Sequence, residues 1–594
     1  MGTISDKLMR IINTKEDIRQ ALISKGYDVP TSIPFKEYAK MILDLPCNAD
    51  SFPDIEGIVA RYSASGLTNE QMAANPVWVD KTGNGYDLQL KNFAWGGMSG
   101  VGGYVDNWNS SADWSIDSYW VNSHTDHKLQ FITAGVVAQA RSNNIYNAEN
   151  VYKNILNVNG LTEAVNKGAV GGLRISAVDP ITSKVIKLFS FKTDGIIQIS
   201  FDDVLQDYYV VYFVYGNNTK DIDITIEQLP LYPGFILGDG VDDFAVTEKE
   251  LNFEDTYTVY TAFIPFQNNP KRNMILCGAD SKKTFSLQYS SLVYASFIAG
   301  YNYYINADFV NGLNLFACKR NGNNICIKNL LTNKVVTGTC GDWVENAGLY
   351  YLWKNAIYAS FARAAIAGQT ICNGYYSTDE DDEKVLNWYK KQYPWLFPYQ
   401  AWTVVGKTNE DEDRATIANI TGNGNDLVCL NLGFIEGSGY NEEGEYAGYL
   451  VTDGVDDKIT SSTFEMGNDW TVIGDWELIN TGKNDNAGIV KFDSIVIYNY
   501  NPILINIKNG RNNLIPDQNT VNAICSDGRI YSKDWKESIY NEETESTSKN
   551  LLTIGYSGNI YTKIAFKNLA IYPTVLSKED CIKAYNYLQT LKSK

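Results

Sequence analysis

Residues 238–243 (GDGVDD) are the stretch that decides the fold, because residues 452–457 (TDGVDD) repeat it later in the chain. Upstream of each copy lies a second shared motif, TGNGYDL at 82–88 and TGNGNDL at 421–427. Two motifs that occur twice in the same order indicate a duplicated domain. An Asp-Gly pair favours a tight turn, and short strands rich in Thr, Val and aromatic residues follow each copy. We therefore predict a mainly β chain that contains two related domains.

The two copies differ in the spacing of their motifs. Gly85 and Asp239 are 154 positions apart, whereas Gly424 and Asp453 are 29 apart, so the first copy carries 125 additional residues. Insertions are tolerated where both ends of the inserted segment lie close together at the surface. Short β-rich runs predict that the insertion is itself a β-sandwich, interrupted by one helix at 147–156.

These patterns predict a helical N-terminal anchor at 1–46, a first β-sandwich at 55–106 plus 230–398, an inserted β-sandwich at 107–229, and a second copy of the first β-sandwich at 399–594. Each of the two repeated sandwiches is expected to end in a short helix. STDE at 377–380 and SKED at 577–580 place a Ser or Thr N-cap directly before acidic residues, which is typical of a helix start.

Charge and cysteine content exclude several classes of protein. A net charge of −19 on 594 residues predicts that nucleic acid is not a partner, because a phosphate backbone requires a basic patch. The sequence has no apolar run long enough to predict membrane insertion, and the N-terminus lacks the apolar core of a signal peptide. Nine cysteines without a CxxC pair predict buried free thiols in a chain that folds in a reducing cytoplasm.

Residues 1–46 show the apolar periodicity of three short helices. Helices this short bury too little surface to be stable alone, so they should dock on another surface. They could cap the chain's own first sandwich, or they could anchor the chain to a partner protein. In the second case the docking side chains would be Leu8, Ile11, Ile12, Ile18, Leu22, Phe35 and Tyr38.

The repeated aspartate turn allows two interpretations. In the structural one, the last two aspartates bond local backbone amides. In the other, the aspartates supply oxygen ligands to calcium, which takes six to eight of them. These would be Asp239, Asp242 and Asp243 in the first copy, and Asp453, Asp456 and Asp457 in the second. Consecutive residues of a strand point to opposite faces, which favours the structural interpretation, so we predict no metal and no cofactor.

The sequence contains no evident catalytic constellation. His124 and His127 have no neighbouring Cys or Glu cluster, and the Gly-rich stretch 96–103 lacks the Lys-Ser/Thr of a phosphate loop. The Glu-x-Asp-x-x-Glu strand that would supply a glycoside hydrolase with paired carboxylates is not found. The acidic runs 379–383 and 410–413 are typical of a first helical turn and of a solvated loop. We therefore predict that the protein is not an enzyme.

Aromatic side chains in loops can stack on sugar rings, and several flank the start of the insertion. They are candidates for glycan contact, with packing at the edge of the inserted sandwich as the alternative. The five are Trp95, Trp108, Trp114, Tyr119 and Trp120.

The DGVDD turn, together with AIYPTVLSKE at 570–579, resembles the concanavalin A-like (laminin G-like) jelly rolls. In that family the last strand ends in a turn and a helix capped by a Leu-Ser-x-Glu pattern. The first copy departs from this pattern at its end, where GYYSTDE at 374–380 keeps only the capped helix. The resemblance implies the fold and leaves the ligand open.

The N-terminal segment carries a second resemblance. KLxxIxxTKxxIRxALxxKG at 7–26 and PFxxYA at 34–39 are similar to leader segments of virion proteins of tailed phages, notably the crAss-like phages of Bacteroides. The two resemblances imply a non-enzymatic tail-fibre or head-fibre protein of the virion, made in the bacterial cytoplasm. It would dock on other virion proteins, form homo-oligomers and bind host surface glycan. The alternatives are a structural spacer of the same appendage and a polysaccharide depolymerase.

Overall fold

The computed structural model describes residues 52–591 with short gaps. The gaps are 109, 117–120, 126, 134–137, 148–151, 168, 170, 202–203, 216–221, 267–273, 280–285, 292–293, 299–303, 309–311, 343–346, 355–360, 442–445, 466, 480–486, 493–494, 500–503, 508–510, 515–520, 533–534, 540–550 and 558–559. The predicted helical domain 1–46, with its seven docking residues, lies outside the described residues.

The chain begins the first sandwich and then enters the insertion. The elements before the insertion are β1 Ile58–Ser63, α1 Asn69–Ala74, β2 Val77–Trp78, β3 Leu88–Lys91 and β4 Gly100–Val101. Those of the insertion are β5 Trp114–Ile116, β6 Val121–His124, β7 Lys128–Thr133, β8 Ala138–Ser142, β9 Lys153–Asn159, α2 Leu161–Asn166, β10 Gly172–Val178, β11 Val185–Phe191, β12 Gly195–Ser200, β13 Tyr209–Tyr215 and β14 Ile222–Gln228.

The chain then completes the first sandwich and builds the second. The completing elements are β15 Ile236–Asp239, β16 Phe244–Thr247, β17 Leu251–Asn252, β18 Thr256–Pro265, β19 Met274–Ala279, β20 Ser286–Ser291, β21 Tyr294–Ile298, β22 Tyr304–Asp308, β23 Asn314–Asn321, β24 Asn324–Asn329, β25 Lys334–Thr339, β26 Ala347–Gly348, β27 Tyr350–Leu352, β28 Arg363–Asn373, α3 Asp379–Gln392 and a 3-10 turn at Pro394–Leu396. The second sandwich consists of β29 Gln400–Thr403, β30 Thr416–Ile417, β31 Leu427–Leu430, β32 Gly439–Tyr440, β33 Leu450–Val451, β34 Lys458–Thr460, β35 Thr471–Leu478, β36 Ala487–Phe492, β37 Ile495–Asn499, β38 Leu504–Ile507, β39 Arg511–Leu514, β40 Val521–Cys525, β41 Arg529–Ser532, β42 Glu537–Ile539, β43 Thr553–Ile554, β44 Tyr556–Ser557, β45 Ile560–Tyr561, β46 Ile564–Tyr572 and α4 Lys578–Thr590.

The two jelly rolls have the same strand order. One sheet runs β25-β24-β23-β18-β28-β15-β4 in the first and β42-β41-β40-β35-β46-β33-β32 in the second, with β1 and β29 added on β28 and β46. The facing sheets also match, as β2-β3-β16-β27-β19-β20-β21-β22 and β30-β31-β34-β43-β36-β37-β38-β39. A register shift occurs at the same point of β18, at Ala262/Phe263, and of β35, at Asp475/Trp476. The mainly β fold with two jelly-roll sandwiches is therefore confirmed.

The insertion is the predicted additional sandwich, formed by sheets β11-β10-β13-β8-β5 and β12-β9-β14-β7-β6. The helix predicted at 147–156 is wrong, because residues from Lys153 onward form strand β9, which pairs with β12 and β14. Leu156 and Val158 alternate with Asn157 and Asn159, and both apolar side chains are fully buried. This period of two is that of a strand with one face in the core.

The two ends of the insertion are hydrogen-bonded to each other. Asp106 N donates to Gln228 Oε1 at 2.9 Å, and Gln228 Nε2 donates back to Asp106 O at 3.1 Å. One step further out, Leu231 N donates to Gly103 O at 2.8 Å. The entering and leaving segments therefore run side by side, which is the geometry that lets a jelly roll accept a large insertion.

The two jelly rolls pack through their capped helices. Thr378 caps α3 and Ser577 caps α4, each accepting a hydrogen bond from a first-turn backbone amide. The sheets that carry these helices are buried on both faces, so one apolar cluster includes residues from both jelly rolls. Tyr587 Oη accepts from Leu313 N at 2.9 Å across this contact. None of the helices in the described part of the chain has the length and apolarity needed to cross a membrane.

The prediction of buried free thiols is confirmed wherever the structure describes the side chain, whereas folding in a reducing cytoplasm stays a prediction. Seven cysteines are buried free thiols: Cys318, Cys326, Cys340, Cys372, Cys429, Cys525 and Cys581. The side chains of Cys47 and Cys277 lie outside the described set.

Candidate functional site

The repeated aspartate turn is closed by its own backbone amides. In the first copy, Asp239 Oδ1 accepts from Val241 N at 2.7 Å, and Asp243 Oδ2 accepts from Asp239 N at 2.9 Å. In the second copy the corresponding distances, at Asp453 Oδ1 and Asp457 Oδ2, are 2.7 Å and 2.8 Å. The identical hydrogen bonds explain why the motif recurs, and they support the structural interpretation.

A third repeated motif, which the sequence analysis missed, packs against each turn. It reads NFAWGGMSG at 92–100 and NLGFIEGSG at 431–439. Asn92 Nδ2 donates to Asp242 O at 3.0 Å, and Asn431 Nδ2 donates to Asp456 O at 3.0 Å. Ser438 Oγ donates to Asp457 Oδ2 at 2.7 Å. The shared Asn and Ser-Gly at equal spacing were the signal that could have revealed this motif.

The three carboxylates of each turn lie close together, within 4.8 Å. Burial, and the neighbouring Asp239 and Asp242, raise the pKa of Asp243 to about 7, and burial likewise raises the pKa of Asp457. Oδ1 of Asp243 and of Asp457 is buried without a hydrogen-bond partner among the described residues, and a bound proton stabilises such an oxygen. The hydrogen bonds to backbone amides favour the structural interpretation, and calcium binding stays the alternative hypothesis.

The structure separates the five predicted glycan-contact residues. Trp108 and Trp114 are 1% and 2% exposed in the core of the inserted sandwich, where both pack edge-on against Tyr212. These two assignments are corrected, because a buried ring offers no face to a sugar. Trp95 is half-buried in the first jelly roll and stacks on Phe93 at a centroid distance of 5.1 Å.

The other two predicted contacts, Tyr119 and Trp120, lie outside the described residues. His127 lies at the junction of the insertion with helix α1, stacked on Tyr104 at 4.8 Å and with Nε2 3.6 Å from Glu70 Oε1. Among the described residues, the only groups of three or more potential metal ligands are the two aspartate turns, so neither histidine belongs to one.

A cleft of about 630 Å³ lies between the two jelly rolls, and it is a candidate site. Its walls come from the end of α3, the segment 394–399 that connects the two jelly rolls (the connecting segment), the TGNG loop of the second jelly roll and the start of α4. The lining residues are Leu313, Leu331, Leu386, Lys390, Lys391, Pro394, Leu396, Phe397, Pro398, Tyr399, Ile420, Thr421, Asn423, Pro573, Thr574, Val575, Leu576, Asp580, Tyr587 and Leu591.

Local sequence rules shape this cleft. Pro394 ends helix α3, because proline cannot continue an α-helix, and the chain turns into the connecting segment. Asn423 Nδ2 and Thr421 Oγ1 both donate to Tyr399 O, at 2.7 Å and 3.2 Å. The repeated TGNG loop therefore holds the connecting segment in place, and the half-buried rings of Phe397 and Tyr399 line the cleft.

No local sequence pattern reveals the whole cleft, because its walls are far apart along the chain, from Leu313 to Leu591. The signal that could have pointed to it is PWLFPY at 394–399, an aromatic and proline-rich junction between two repeats.

Asp580 is the one carboxylate among the described lining residues. It accepts from Ser577 Oγ at 2.8 Å and lies 3.5 Å from Lys583 Nζ, so its charge serves the helix cap and an ion pair. In the described part of the chain, the cleft thus combines apolar and aromatic walls with a few polar groups and no pair of carboxylates.

Comparison with family models gives no match for the chain, and comparison with curated proteins gives none either. Among solved structures, similar chains include one from a study of ganglioside-dependent cell entry of botulinum neurotoxin type C, at 10% identity, covering 56% of this chain and 87% of that chain with a TM-score of 0.24. The botulinum neurotoxin serotype D binding domain is similar at 10% identity, 59% and 89% coverage and a TM-score of 0.26.

An arabinofuranosidase complexed with arabinofuranosyl-alpha-1,2-xylobiose is similar at 8% identity, 77% and 80% coverage and a TM-score of 0.26. TM-scores of 0.24 to 0.26 are too low to support a conclusion about fold or function. The fold of this chain is therefore taken from its own strand pairing.

Proposed function

We propose that this chain is a non-enzymatic appendage protein of a phage virion that binds host surface glycan in the cleft between its two jelly rolls. The N-terminal segment docks it on the particle, and the jelly rolls form the outer, oligomeric part. The observation that carries glycan binding is the cleft itself. The virion assignment rests on the resemblance of residues 7–26 and 34–39 to phage leader segments.

The cleft has the size and chemistry of a small-ligand site. Its volume of about 630 Å³ falls in the range of a few hundred to about a thousand Å³ that such sites occupy. Aromatic rings present an apolar body and, in tyrosine, a polar end, which suits a ligand with apolar faces and hydroxyl edges. Phe397 and Tyr399 supply the rings, and Thr421 and Asn423 supply polar groups beside them.

The single carboxylate in the cleft supports binding rather than hydrolysis. Glycoside hydrolases use two carboxylates placed on either side of the scissile bond. Asp580 has no second carboxylate beside it among the described lining residues. A depolymerase is therefore the less supported alternative.

A structural spacer is the second candidate function, and one observation favours it. The two jelly rolls share an apolar cluster that includes Leu315, Trp388, Ala523 and Tyr585, and a contact of this kind holds two domains in a fixed arrangement. A fixed arrangement suits a rigid fibre element as well as a preformed cleft. Glycan titration separates these functions, because a spacer binds no glycan.

The test is glycan binding by the full chain and by a variant with a blocked cleft. Val575→Trp, in the cleft wall, is expected to lower affinity by at least about tenfold, since the indole occupies ligand space. Val241→Trp is the matched control, because this 71% exposed valine lies on the first aspartate turn. Equal loss in both variants, or no glycan binding by the wild type, would refute the proposal. Pro573→Trp repeats the test if Val575→Trp lowers the melting temperature.

Particle docking has a separate test. Removal of residues 1–46 is expected to abolish incorporation into virions while glycan affinity stays unchanged. Immunoblots of purified particles measure incorporation, and full incorporation of the shortened chain would contradict the docking role.

A further inference from the structure

We infer that the cleft takes an acidic saccharide, one that carries carboxylate or sulfate groups. This inference rests on the proposed glycan-binding function and adds the charge of the ligand. The observation that supports an acidic ligand is the local charge: the cleft is cationic, whereas the chain as a whole is strongly acidic.

The charges around the cleft are opposite in sign to those of the whole chain. The chain has 50 Lys plus Arg against 69 Asp plus Glu, a net charge of −19. Among the described residues, the charged side chains that line the cleft are Lys390, Lys391 and Asp580. Lys583 Nζ lies 3.5 Å from Asp580 Oδ1 and 2.7 Å from Glu579 Oε1, so Asp580 shares this cation with a second carboxylate. A ligand in the cleft therefore faces two ammonium groups and one carboxylate.

The two lysines lie in the last turn of α3, and both are exposed. Two turns earlier on the same helix, Lys384 Nζ pairs with Glu380 Oε1 at 2.8 Å. Lys390 and Lys391 have no such partner in the part of the chain that the structure describes, so their ammonium groups are available to a ligand anion.

The charge distribution of the whole chain adds selectivity. A surface of net charge −19 repels an acidic polymer, whereas a local cationic patch attracts it. An acidic saccharide is therefore attracted at the cleft and repelled by the rest of the surface, which restricts its binding to the cleft. Because both lysines are exposed, salt screens the attraction, and affinity should fall as ionic strength rises.

The experiment is an array of uronic-acid, sialic-acid and sulfated glycans beside their neutral counterparts, probed with the full chain. Positive glycans are then titrated by calorimetry against Lys390→Gln/Lys391→Gln, against Lys390→Arg/Lys391→Arg, and against Lys81→Gln/Lys91→Gln. The last pair is the matched control, because both lysines are exposed and lie outside the cleft. The glutamine variant at the cleft is expected to lower affinity for acidic glycans about five- to tenfold, while the other two stay near wild type.

The possible outcomes test the acidic preference and the glycan-binding function separately. Preference for acidic glycans that is lost only in the cleft glutamine variant supports the inference. Binding of neutral glycans with equal affinity in all variants overturns the acidic preference and leaves glycan binding in the cleft standing. Acidic-glycan affinity that falls equally in the control pair overturns the inference, because the attraction would then come from overall charge. Absence of all binding overturns both proposals.

Discussion

Replacing Asp382 is expected to destabilise the end of the first jelly roll more than replacing Lys319, although the two residues form one ion pair. Lys319 Nζ and Asp382 Oδ2 lie 2.8 Å apart, with side chains 4% and 3% exposed. Asp382 also lies 3.0 Å from Lys328 Nζ and accepts from Tyr260 Oη at 2.9 Å. Removing the carboxylate therefore affects two cations, whereas removing Lys319 leaves a carboxylate that keeps one.

The expected loss in free energy of unfolding depends on which charged groups keep a partner after each substitution. Breaking a buried ion pair by removing one partner costs about 3–5 kcal/mol. Without Asp382, Lys328 keeps Asp379 Oδ1 at 2.6 Å, but Lys319 keeps no carboxylate and retains the carbonyl of Ser377 at 3.0 Å and the ring of Tyr376 at 5.5 Å. We expect Asp382→Cys to lower the free energy of unfolding by about 5 kcal/mol and Lys319→Cys by about 3 kcal/mol.

The double variant Lys319→Cys/Asp382→Cys is expected to be more stable than Asp382→Cys alone. The second jelly roll fills the same two positions with thiols. Lys319 pairs with Thr258 across β18 and β23, as Cys525 pairs with Thr471 across β35 and β40. Asp382 and Cys581 are each the fourth residue after their helix cap. Uncharged groups at both positions leave no buried charge without a partner, so the effects of the two substitutions should be strongly non-additive.

Hydrogen exchange of the α3 amides, in the presence of a thiol reductant, is the appropriate measurement. A chain of several domains does not unfold in one step, so a global midpoint would mix contributions, whereas exchange reports local opening. Lys384→Cys is the control, because its pair with Glu380 is exposed and should cost less than about 0.5 kcal/mol. Equal costs for the two single variants, or a double variant equal to their sum, would refute this reasoning.

Three further predictions concern Asp106 in the insertion, Gly454 in the second aspartate turn and Trp95 in the first jelly roll. Burial raises the pKa of Asp106 from 3.8 to about 7, so the folded state holds this proton to higher pH than the unfolded chain and loses stability across that interval. Asp106→Asn should reduce the fall in melting temperature of the inserted sandwich between about pH 4 and pH 7; a fall unchanged in the variant would contradict this. Gly454 has φ +79° and its added Cβ would lie 3.0 Å from Lys563 N, whereas Gly448 has φ +78° and open space. Gly454→Ala should therefore cost about 1 kcal/mol more than Gly448→Ala in thermal unfolding, and equal costs would show that the close approach is unimportant. Trp95→Ala should leave glycan affinity within about twofold of wild type, whereas a large loss in the same titration would place the site on that loop.

Much of the fold was predictable because it depends on local patterns. The capped helices at Thr378 and Ser577, and strands such as β11 and β13, follow from residue types that act over a few positions. One exception is β9, where residues 147–156 were predicted as helix, and the short helices α1 and α2 were not predicted. A short segment of mixed polar and apolar residues fits the periodicity of a helix as well as that of a strand. Pairing with β12 and β14 makes this segment a strand.

The candidate site was much less predictable. Trp108 and Trp114 are near the insertion point in sequence, but the inserted sandwich buries both rings. The cleft is lined by segments from Leu313 to Leu591, and no local pattern states that they meet. The domain boundaries and the docking role of residues 1–46 stay predictions.

The repeated aspartate turn separates what the sequence determined from what the tertiary structure decided. Its recurrence alone established two equivalent domains and the place of the insertion, because a turn with a positive-φ glycine depends on a few consecutive residues. Tertiary structure decided what the turn contacts, which is the Asn of a preceding loop in each copy and, in the second copy, the Ser of that loop. It also decided that the candidate cleft lies between the repeats, because a cleft is formed by surfaces that meet only when the helices of both jelly rolls pack together.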